Sequence, residues 1–275
     1  MSGGADSAAL LILAVAAGLH VTAVHVDHGL RPGSHHEADV VAGLAQRFDA
    51  QFRAEQVTIG DGPNLEARAR EARYAVLPTG VLTGHTADDQ AETVLLNLLR
   101  GAALPGLAGM RPGPQRPLLA LRRADTIALC TAHGVEVVHD PSNADPRHLR
   151  NRVRHELLPL LAELADRDLV PMLARQADLV RDDNDLLDHL ADALDPTDAK
   201  ALVAAPVPLA RRAVRRWLTI THPPDLATVD RVLAVARGDA AATELPGGRR
   251  VSRHRQRLAV SDPPRSAPPD LPASE

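Results

Sequence analysis

Met1-Ser2-Gly3-Gly4-Ala5-Asp6-Ser7 begins the chain, and an apolar run with helical character, 8–17, follows it. Two adjacent glycines allow the backbone to turn sharply and to approach a ligand closely. We expect Ser7 to cap the following helix, so that backbone N–H groups converge on one point that suits an anion. The pattern predicts a phosphate-binding loop formed by Ser2, Gly3, Gly4, Ala5, Asp6 and Ser7. An ordinary glycine turn before a helix is the alternative.

A carboxylate inside this loop adds a second indication. Asp6 would be tolerated beside bound phosphates only if a cation such as Mg²⁺ lay between them. The loop is not a Walker A motif, which requires a lysine, because the chain has a single lysine, Lys200. We therefore predict that Asp6 contacts a Mg²⁺ ion that lies between it and the bound phosphates.

Composition limits the class of protein. With 275 residues, of which 45% are hydrophobic, the chain is long enough for two domains. A single cysteine, Cys130, excludes a disulfide framework and a cysteine-based zinc or iron–sulfur site within one chain. The chain has no apolar run of 18 residues, and no basic flank precedes the apolar run after Ser7, so we expect a cytoplasmic protein without a membrane partner.

Strands and helices alternate along the first part of the chain. The β-branched stretch 21–26 predicts a buried strand that leads into polar residues, and 52–58 predicts another. Helical spacing covers 37–48 and 64–77, and a short strand is expected at 81–83 and a further one at 135–139. This alternation predicts an α/β domain with a parallel sheet, which places ligands at the carboxyl ends of its strands.

Polar residues after the short strand open a further helix. Asp89 and Glu92 are three positions apart at its start and therefore share one face, with Asp88 beside them and His85 before them. One carboxylate here could simply complement the helix dipole. Three carboxylates beside a phosphate-type loop favour a site for a metal or an amine.

Two more segments are candidates for substrate contact. The stretch 101–113 is rich in glycine and proline and too long for a simple connector, so we interpret it as a substrate loop. Four arginines follow within eight residues: Arg147, Arg150, Arg152 and Arg154. They form either a solvated helix face or, beside a nucleotide site, a set of phosphate contacts.

The C-terminal part carries a basic surface. Residues 200–260 contain Lys200 and eleven arginines against four acidic residues, a net charge of +8, which is typical of a polyanion-binding surface. An acidic stretch, 178–198, and Pro196 mark the boundary before it. We expect a catalytic domain over 1–190, a small domain of helices and a hairpin over 196–262, and a disordered tail rich in Pro, Ser and Ala over 263–275.

Five stretches together resemble one family. They are SGGADS at 2–7, HVDHGLR at 25–31, TGHTADDQAET at 83–93, GLAGM at 106–110 and RNRVRHELLP at 150–159. In this order and spacing they are similar to the tRNA(Ile)-lysidine synthetases, which are N-type ATP pyrophosphatases of the PP-loop superfamily. The resemblance implies an adenine nucleotide alpha hydrolase-like fold and covers most of residues 1 to 160.

The family attaches free L-lysine to C2 of the wobble cytidine in the CAU anticodon of tRNA(Ile), using ATP and Mg²⁺, and the resemblance allows a homodimer. It assigns the loop 2–7 to ATP, with Asp6 as a catalytic residue, and adds His28 and Arg31 as nucleotide contacts. It implies that Asp89 and Glu92 bind and deprotonate the lysine, with Asp88 and His85 in support. The residues expected to contact tRNA or phosphate are Arg150, Arg152, Arg154, Arg249, Arg250 and Arg253.

This chain departs from the family at its first residue. Family members have a buried strand immediately before the phosphate loop, whereas only Met1 precedes Ser2. We expect that the natural start lies upstream, or that a shortened chain is inactive. A tRNA 2-thiocytidine synthetase is the nearest rival, but its chemistry uses clustered cysteines and Cys130 stands alone. A tRNA-binding protein with an inactive nucleotide site is the alternative from another class.

Overall fold

The structure is a computed structural model that describes residues 1–27, 35–58, 60, 62, 65–138 and 145–262. The chain divides into two compact units, Met1–Arg181 and Asp182–Glu275. The division lies within a long helix, ahead of the boundary expected at Pro196, and the domain bounds stay a prediction. His28, Arg31 and the tail 263–275 lie outside the described residues.

Helices and a parallel strand pair form the first unit. Helix α1 (Ala5–Ala16) leads to β1 (Thr22–Asp27), and α2 (His35–Arg47) leads to β2 (Gln51–Gln56). The two strands are parallel, in register from Thr22 opposite Gln51 to Asp27 opposite Gln56. The remaining elements follow as α3 (Leu65–Val76), α4 (Ala87–Leu99), α5 (Leu104–Leu107), α6 (Arg123–Ala132), α7 (Leu149–Arg152), a π-helical turn (Val153–Leu157), α8 (Leu158–Ala165) and α9 (Val170–Asp192).

The core of the first unit explains why α1 and α6 lie side by side. Small and branched side chains of α1 pack with those of β1, α2 and α6, which lets the backbones approach closely. Ala9 and Val41 are fully buried there, and the Cys130 thiol of α6 donates to the Ala5 carbonyl at 3.5 Å. This contact holds the last turn of α6 against the start of α1, next to residues 2–7, which we call the glycine loop.

Short helices and a hairpin sheet form the second unit, as the sequence predicts. Its helices after α9 are α10 (Ala199–Ala204), α11 (Val207–Leu218) and α12 (Leu226–Arg237). The strands β3 (Ala242–Glu244), β4 (Arg250–His254) and β5 (Arg257–Ser261) form an antiparallel sheet, with a 3₁₀ turn at Pro246–Gly248. Val214, Val232 and Val251 are fully buried in its core. Across the described ranges, no helix is both long and apolar enough to cross a bilayer.

Three local expectations are wrong. Ser7 is not the cap of α1, because Gly4 occupies that position and the Ser7 hydroxyl donates to the Gly4 carbonyl at 2.9 Å. The stretch 81–83 is not a strand, and neither is 135–138, the described part of the strand predicted at 135–139. A strand requires a neighbour that exchanges a ladder of hydrogen bonds. Thr83 instead donates to the Gln115 carbonyl, and Val138 donates to the Gly3 carbonyl, so each stretch joins a loop.

Candidate active site

The glycine loop leads directly into the N-terminus of α1, a helix of 12 residues. Gly3 has φ +75°, and a Cβ at this position would lie 2.7 Å from Cγ2 of Val138, so any side chain would clash. Gly4 then caps α1, whose first N–H groups lack partners within the helix. This is the geometry of an anion site at a helix N-terminus.

A second glycine brings the TGHTADDQAET stretch against this loop. A Cβ on Gly84 would lie 2.6 Å from the carbonyl oxygen of Asp6 and 3.2 Å from the nitrogen of Ser7. Only a residue without a side chain permits this contact. The start of α4 is therefore fixed beside Asp6.

Asp89 and Glu92 point from one face of α4, as predicted. Asp89 closes the N-terminus of the helix, since its Oδ2 accepts from the Thr86 N–H at 2.9 Å and from the Thr86 hydroxyl at 3.1 Å. Glu92 has no exposed side-chain surface, whereas the Asp89 side chain is 11% exposed. A buried carboxylate requires donors and a compensating charge, which three arginines provide.

Five guanidinium hydrogen bonds converge on Glu92. Its Oε1 accepts from Nη1 and Nη2 of Arg123, both at 3.2 Å, and from Nε of Arg154 at 2.6 Å. Its Oε2 accepts from Nε of Arg150 at 2.8 Å and from Nη2 of Arg154 at 3.1 Å. The same arginines surround Oδ1 of Asp89, with Arg123 at 3.0 Å, Arg150 at 3.1 Å and Arg154 at 3.6 Å. We call Asp89, Glu92, Arg123, Arg150 and Arg154 the carboxylate–arginine cluster.

Helix geometry explains how Arg150 and Arg154 reach the same carboxylates. They are four positions apart along α7 and the following π-helical turn, so they lie on one face. Val153 between them is fully buried and packs with Leu95 and Leu96 of α4. Arg152 points elsewhere and pairs with the exposed Glu156 at 3.1 Å. The assignment of these arginines to phosphates stays a prediction.

Arg123 joins the cluster to the glycine loop. Its Nε lies 3.6 Å from Oδ2 of Asp6, and the hydroxyl of Thr126, one turn along α6, donates to Oδ1 of Asp6 at 2.5 Å. Sequence reasoning missed Arg122, Arg123 and Thr126. Their only local signal is a pair of adjacent arginines shortly after the apolar Leu118 and Leu119.

The electrostatic environment differs between Asp6 and Asp89. Burial raises the pKa of Asp6, and the opposing effects of Thr126 and Arg123 are smaller. Burial is also the largest effect on Asp89, but Arg123, the Thr86 N–H and Arg150 together hold its pKa below the ordinary value. Asp89 is therefore a stable carboxylate at neutral pH, whereas Asp6 would gain from a nearby cation.

Asp88 and His85 lie just before Asp89 in the sequence, around the start of α4. Asp88 accepts from Nε and Nη2 of Arg122, both at 3.1 Å, and from the Arg123 N–H at 2.8 Å. Burial alone would raise the pKa of Asp88, but these donors lower it. His85 Nδ1 lies 2.8 Å from the Thr83 hydroxyl, and burial lowers the pKa of this imidazole. Their roles in lysine binding stay predictions.

The loop predicted to contact substrate is tied to α4. Gln90 donates from Nε2 to the Met110 carbonyl at 3.0 Å and accepts from the Met110 N–H at 2.7 Å. Gly109 has φ +59°, and a Cβ there would lie 2.8 Å from Oε1 of Gln90. The buried Arg181 donates to the carbonyls of Ala108 and Met110. The GLAGM stretch is thus held in one conformation next to the helix that carries Asp89 and Glu92.

A cleft of about 240 Å³ lies beside the cluster. Its lining combines charged and apolar side chains, which suits a ligand with an alkyl chain and ionic ends. The lining residues are Asp88, Glu92, Arg123, Arg154, Leu158, Pro159, Ala162, Asp168, Leu169 and Val170.

The basic residues predicted for tRNA in the second unit have different surroundings. Arg250 is exposed and Arg249 half-buried, both next to the 3₁₀ turn that precedes β4. Arg253 donates from Nη1 to the Ala236 carbonyl at 2.8 Å and from Nη2 to Oε1 of Gln256 at 2.9 Å. Arg253 thus binds the C-terminal end of α12, whereas Arg250 is exposed to solvent.

The described part of the chain was also compared with the ligand sets that hold metal ions in proteins. Among the described residues, no group of three or more His, Cys, Asp or Glu side chains is placed to hold one. Mg²⁺ usually binds through one or two carboxylates together with substrate phosphates. Asp6, next to the anion-binding end of α1, fits that mode.

Comparisons with known proteins agree with this geometry. The PP-loop domain profile matches residues 1–161. The chain is 41% identical to the tRNA(Ile)-lysidine synthase of Nocardia farcinica, over 97% of this chain and 92% of that protein. It is 42% identical to the enzyme of the same name from Mycolicibacterium paratuberculosis, over 90% and 85%. The counterpart from Thermobifida fusca is 40% identical, over 94% and 90%.

A solved structure supports the fold alone. The U34-tRNA thiolase NcsA of Methanococcus maripaludis aligns with a TM-score of 0.51 and 16% identity, covering 66% of this chain and 71% of that one. The predicted α/β fold class and the predicted family are confirmed. The chain belongs to the tRNA(Ile)-lysidine synthase family of PP-loop proteins.

Proposed function

We propose that this chain uses ATP to attach free L-lysine to C2 of the wobble cytidine in the CAU anticodon of tRNA(Ile). The product, lysidine, pairs with A instead of G, so the identity of the tRNA changes from methionine to isoleucine. The observation that carries the proposal is the contact of Arg123 with both Asp6 and the Asp89–Glu92 pair, at 3.0–3.6 Å. A phosphate-type loop and a buried carboxylate pair therefore share one site.

The first step activates the cytidine. Its 2-oxygen attacks the α-phosphate of ATP, the bond to the β-phosphate breaks, and pyrophosphate leaves. The N–H groups at the start of α1 are placed to stabilise the charge that develops on the phosphates. Mg²⁺, when bound near Asp6, would neutralise part of that charge.

The second step transfers lysine. The ε-nitrogen of lysine forms a bond to C2, and the activated oxygen leaves with AMP. The attacking amine must be neutral, although its pKa in water is about 10.4. Asp89 is ionised at neutral pH, so it is suited to hold the ammonium together with Glu92. The same pair would then accept the proton that the ammonium must lose. The apolar residues that line the cleft beside Glu92 could contact the alkyl chain of lysine.

The second unit would provide part of the tRNA-binding surface. Residues 200–260 carry the net charge of +8, and Arg250 is exposed there. Clustered arginine supplies a sequence-independent attraction for the phosphate backbone. The homodimer and the cytoplasmic location stay predictions.

Transfer of labelled lysine into RNA tests the proposal. Protein, ATP with Mg²⁺, labelled L-lysine and a tRNA transcript with the CAU anticodon should give label in RNA, and omission of ATP should abolish it. A matched transcript with uridine in place of the wobble cytidine should remain unlabelled. RNA binding without label would favour a tRNA-binding protein with an inactive nucleotide site.

A further inference from the structure

The cluster that should bind the lysine ammonium is already saturated with donors. A carboxylate offers about four lone-pair positions, and Glu92 accepts five guanidinium hydrogen bonds. Asp89 accepts on Oδ2 from Thr86 and on Oδ1 from Arg123 and Arg150. An ammonium brings three more donors and a further positive charge. It can bind these oxygens only if a guanidinium withdraws.

Arg123 is the arginine best placed to withdraw towards a phosphate. Among the three, it has its guanidinium against Asp89, Glu92 and also Asp6 in the glycine loop. Its main chain is held independently, because the Arg123 N–H donates to Asp88 at 2.8 Å. Phosphate oxygens accept from arginine in a bidentate fork, so a bound nucleotide competes with the carboxylates for this guanidinium.

We infer that Arg123 is a positioning residue that couples nucleotide binding to lysine binding. With the phosphate site empty, its guanidinium occupies Asp89 and Glu92 and excludes the ammonium. When the phosphates of ATP draw the guanidinium towards the glycine loop, acceptor positions on the two carboxylates become free for lysine. The inference rests on the proposed function for the identity of the amine. It goes beyond that function because it assigns Arg123 and a binding order.

Equilibrium dialysis of labelled L-lysine tests the coupling directly. The wild-type chain is measured with Mg²⁺ alone and with Mg²⁺ plus saturating α,β-methylene ATP, which cannot release pyrophosphate. We expect the nucleotide analogue to increase the affinity for lysine by about 5–150-fold, the usual range for coupled sites. Because coupling is reciprocal, lysine should strengthen binding of the analogue by the same factor.

Three substitutions at two adjacent positions separate coupling from simple loss of charge. Arg123→Met should bring the ratio of the two lysine affinities close to one, so that the KM for lysine no longer depends on ATP concentration. Arg123→Lys keeps the charge without the fork and should give an intermediate ratio. Arg122→Met is the matched control, because Arg122 contacts Asp88 and Asp168 and not Asp89 or Glu92. Whatever it does to absolute affinity, it should leave the ratio at the wild-type value.

The outcomes distinguish this inference from the proposed function. Equal lysine affinity with and without the analogue, or a wild-type ratio in Arg123→Met, would overturn the inference even if RNA still receives lysine. Absence of lysine binding in both states overturns it too, and absence of label in RNA overturns the proposed function with it. If Arg123→Met does not fold, as judged by circular dichroism, the wild-type ratio and Arg123→Lys still decide the question.

Discussion

Two groups of arginines in this chain face opposite environments. Arg123, Arg150 and Arg154 of the first unit direct their guanidinium groups inwards, to Glu92, which is fully buried. Arg211 of the second unit pairs with Asp230 at 2.8 Å, and both side chains are 42% exposed. Among the described residues of the second unit, which include Arg249 and Arg250, no carboxylate is buried. The same residue type thus serves a buried ion cluster in one region and a solvated surface in the other.

This difference shows that the role of an arginine depends on whether the carboxylate it pairs with is buried or exposed. A buried carboxylate remains ionised only if hydrogen-bond donors and positive charges surround it, which is what the guanidinium groups provide. A surface carboxylate is already solvated and gains little from its ion pair. Substitution of the acid, and not of the arginine, is therefore the sharper way to compare the two regions.

Glu92→Gln should produce the largest effect. It leaves Arg123, Arg150 and Arg154 with a buried neutral amide, and the loss of one partner from a buried ion cluster costs about 3–5 kcal/mol of unfolding free energy. Urea unfolding followed by circular dichroism measures it. Asp230→Asn is the matched substitution in the second unit and should leave the urea midpoint unchanged. Equal effects of both substitutions would contradict the distinction between the two regions.

Asp6→Asn should separate activity from stability. Because burial raises the folded pKa of Asp6, its ionisation opposes folding. That penalty is absent at pH values below the ordinary value of 3.8 and develops fully as the pH rises through the folded pKa. At pH 7 the variant should therefore unfold at higher urea concentration than the wild type. At the same time it should lose about 100-fold or more of tRNA-dependent pyrophosphate exchange into ATP.

Affinity for tRNA should remain near the wild-type value in Asp6→Asn, because Asp6 acts on the nucleotide and not on RNA. Unaltered exchange activity would remove Asp6 from the phosphate site. A lower urea midpoint at pH 7 would contradict the direction of its pKa shift.

Substitutions on the second unit should give the smallest effects. Neutralising Arg249 and Arg250 together should reduce the slope of log K against log salt for tRNA binding, by roughly 0.7–0.9 for each RNA phosphate that an arginine no longer neutralises. Arg253→Gln is the internal contrast, because Arg253 binds the Ala236 carbonyl at the end of α12. It should lower the unfolding free energy by about 1 kcal/mol with little change in slope. A slope that Arg249 and Arg250 do not affect would place the RNA surface elsewhere.

Local patterns in the sequence predict the parts of the site that depend on short spacing. The glycine loop and the shared face of Asp89 and Glu92 follow from backbone freedom and helix periodicity, so both could be predicted. The hydrogen bonds from Arg123 to these carboxylates join residues more than thirty positions apart, so no local sequence pattern predicts them. The strand predicted at 81–83 is wrong for a related reason, since strand assignment depends on a neighbour and not on β-branched residues alone.

The cap of α1 shows how close alternatives can compete. Ser7 has the right chemistry for a helix cap, but Gly4 already has extended backbone angles and begins the helix three residues earlier. The Ser7 hydroxyl then has the Gly4 carbonyl within reach. The sequence also does not decide what Arg150 and Arg154 contact. An arginine on a helix face binds a phosphate or a carboxylate through the same pair of N–H donors.

The central claim is that one site performs both cytidine activation and lysine transfer, and that the carboxylate pair serves only the second step. The Asp89→Asn variant tests this claim most directly. The variant is incubated with lysine, a tRNA transcript with the CAU anticodon and ATP labelled at the α-phosphate. We predict that adenylated RNA accumulates while AMP release and lysine transfer fall by about 100–10,000-fold, the range expected for loss of a general base. Formation of the adenylate shows at the same time that the variant is folded. Lysine transfer at the wild-type rate, or failure to form the adenylate in a folded variant, would contradict the account.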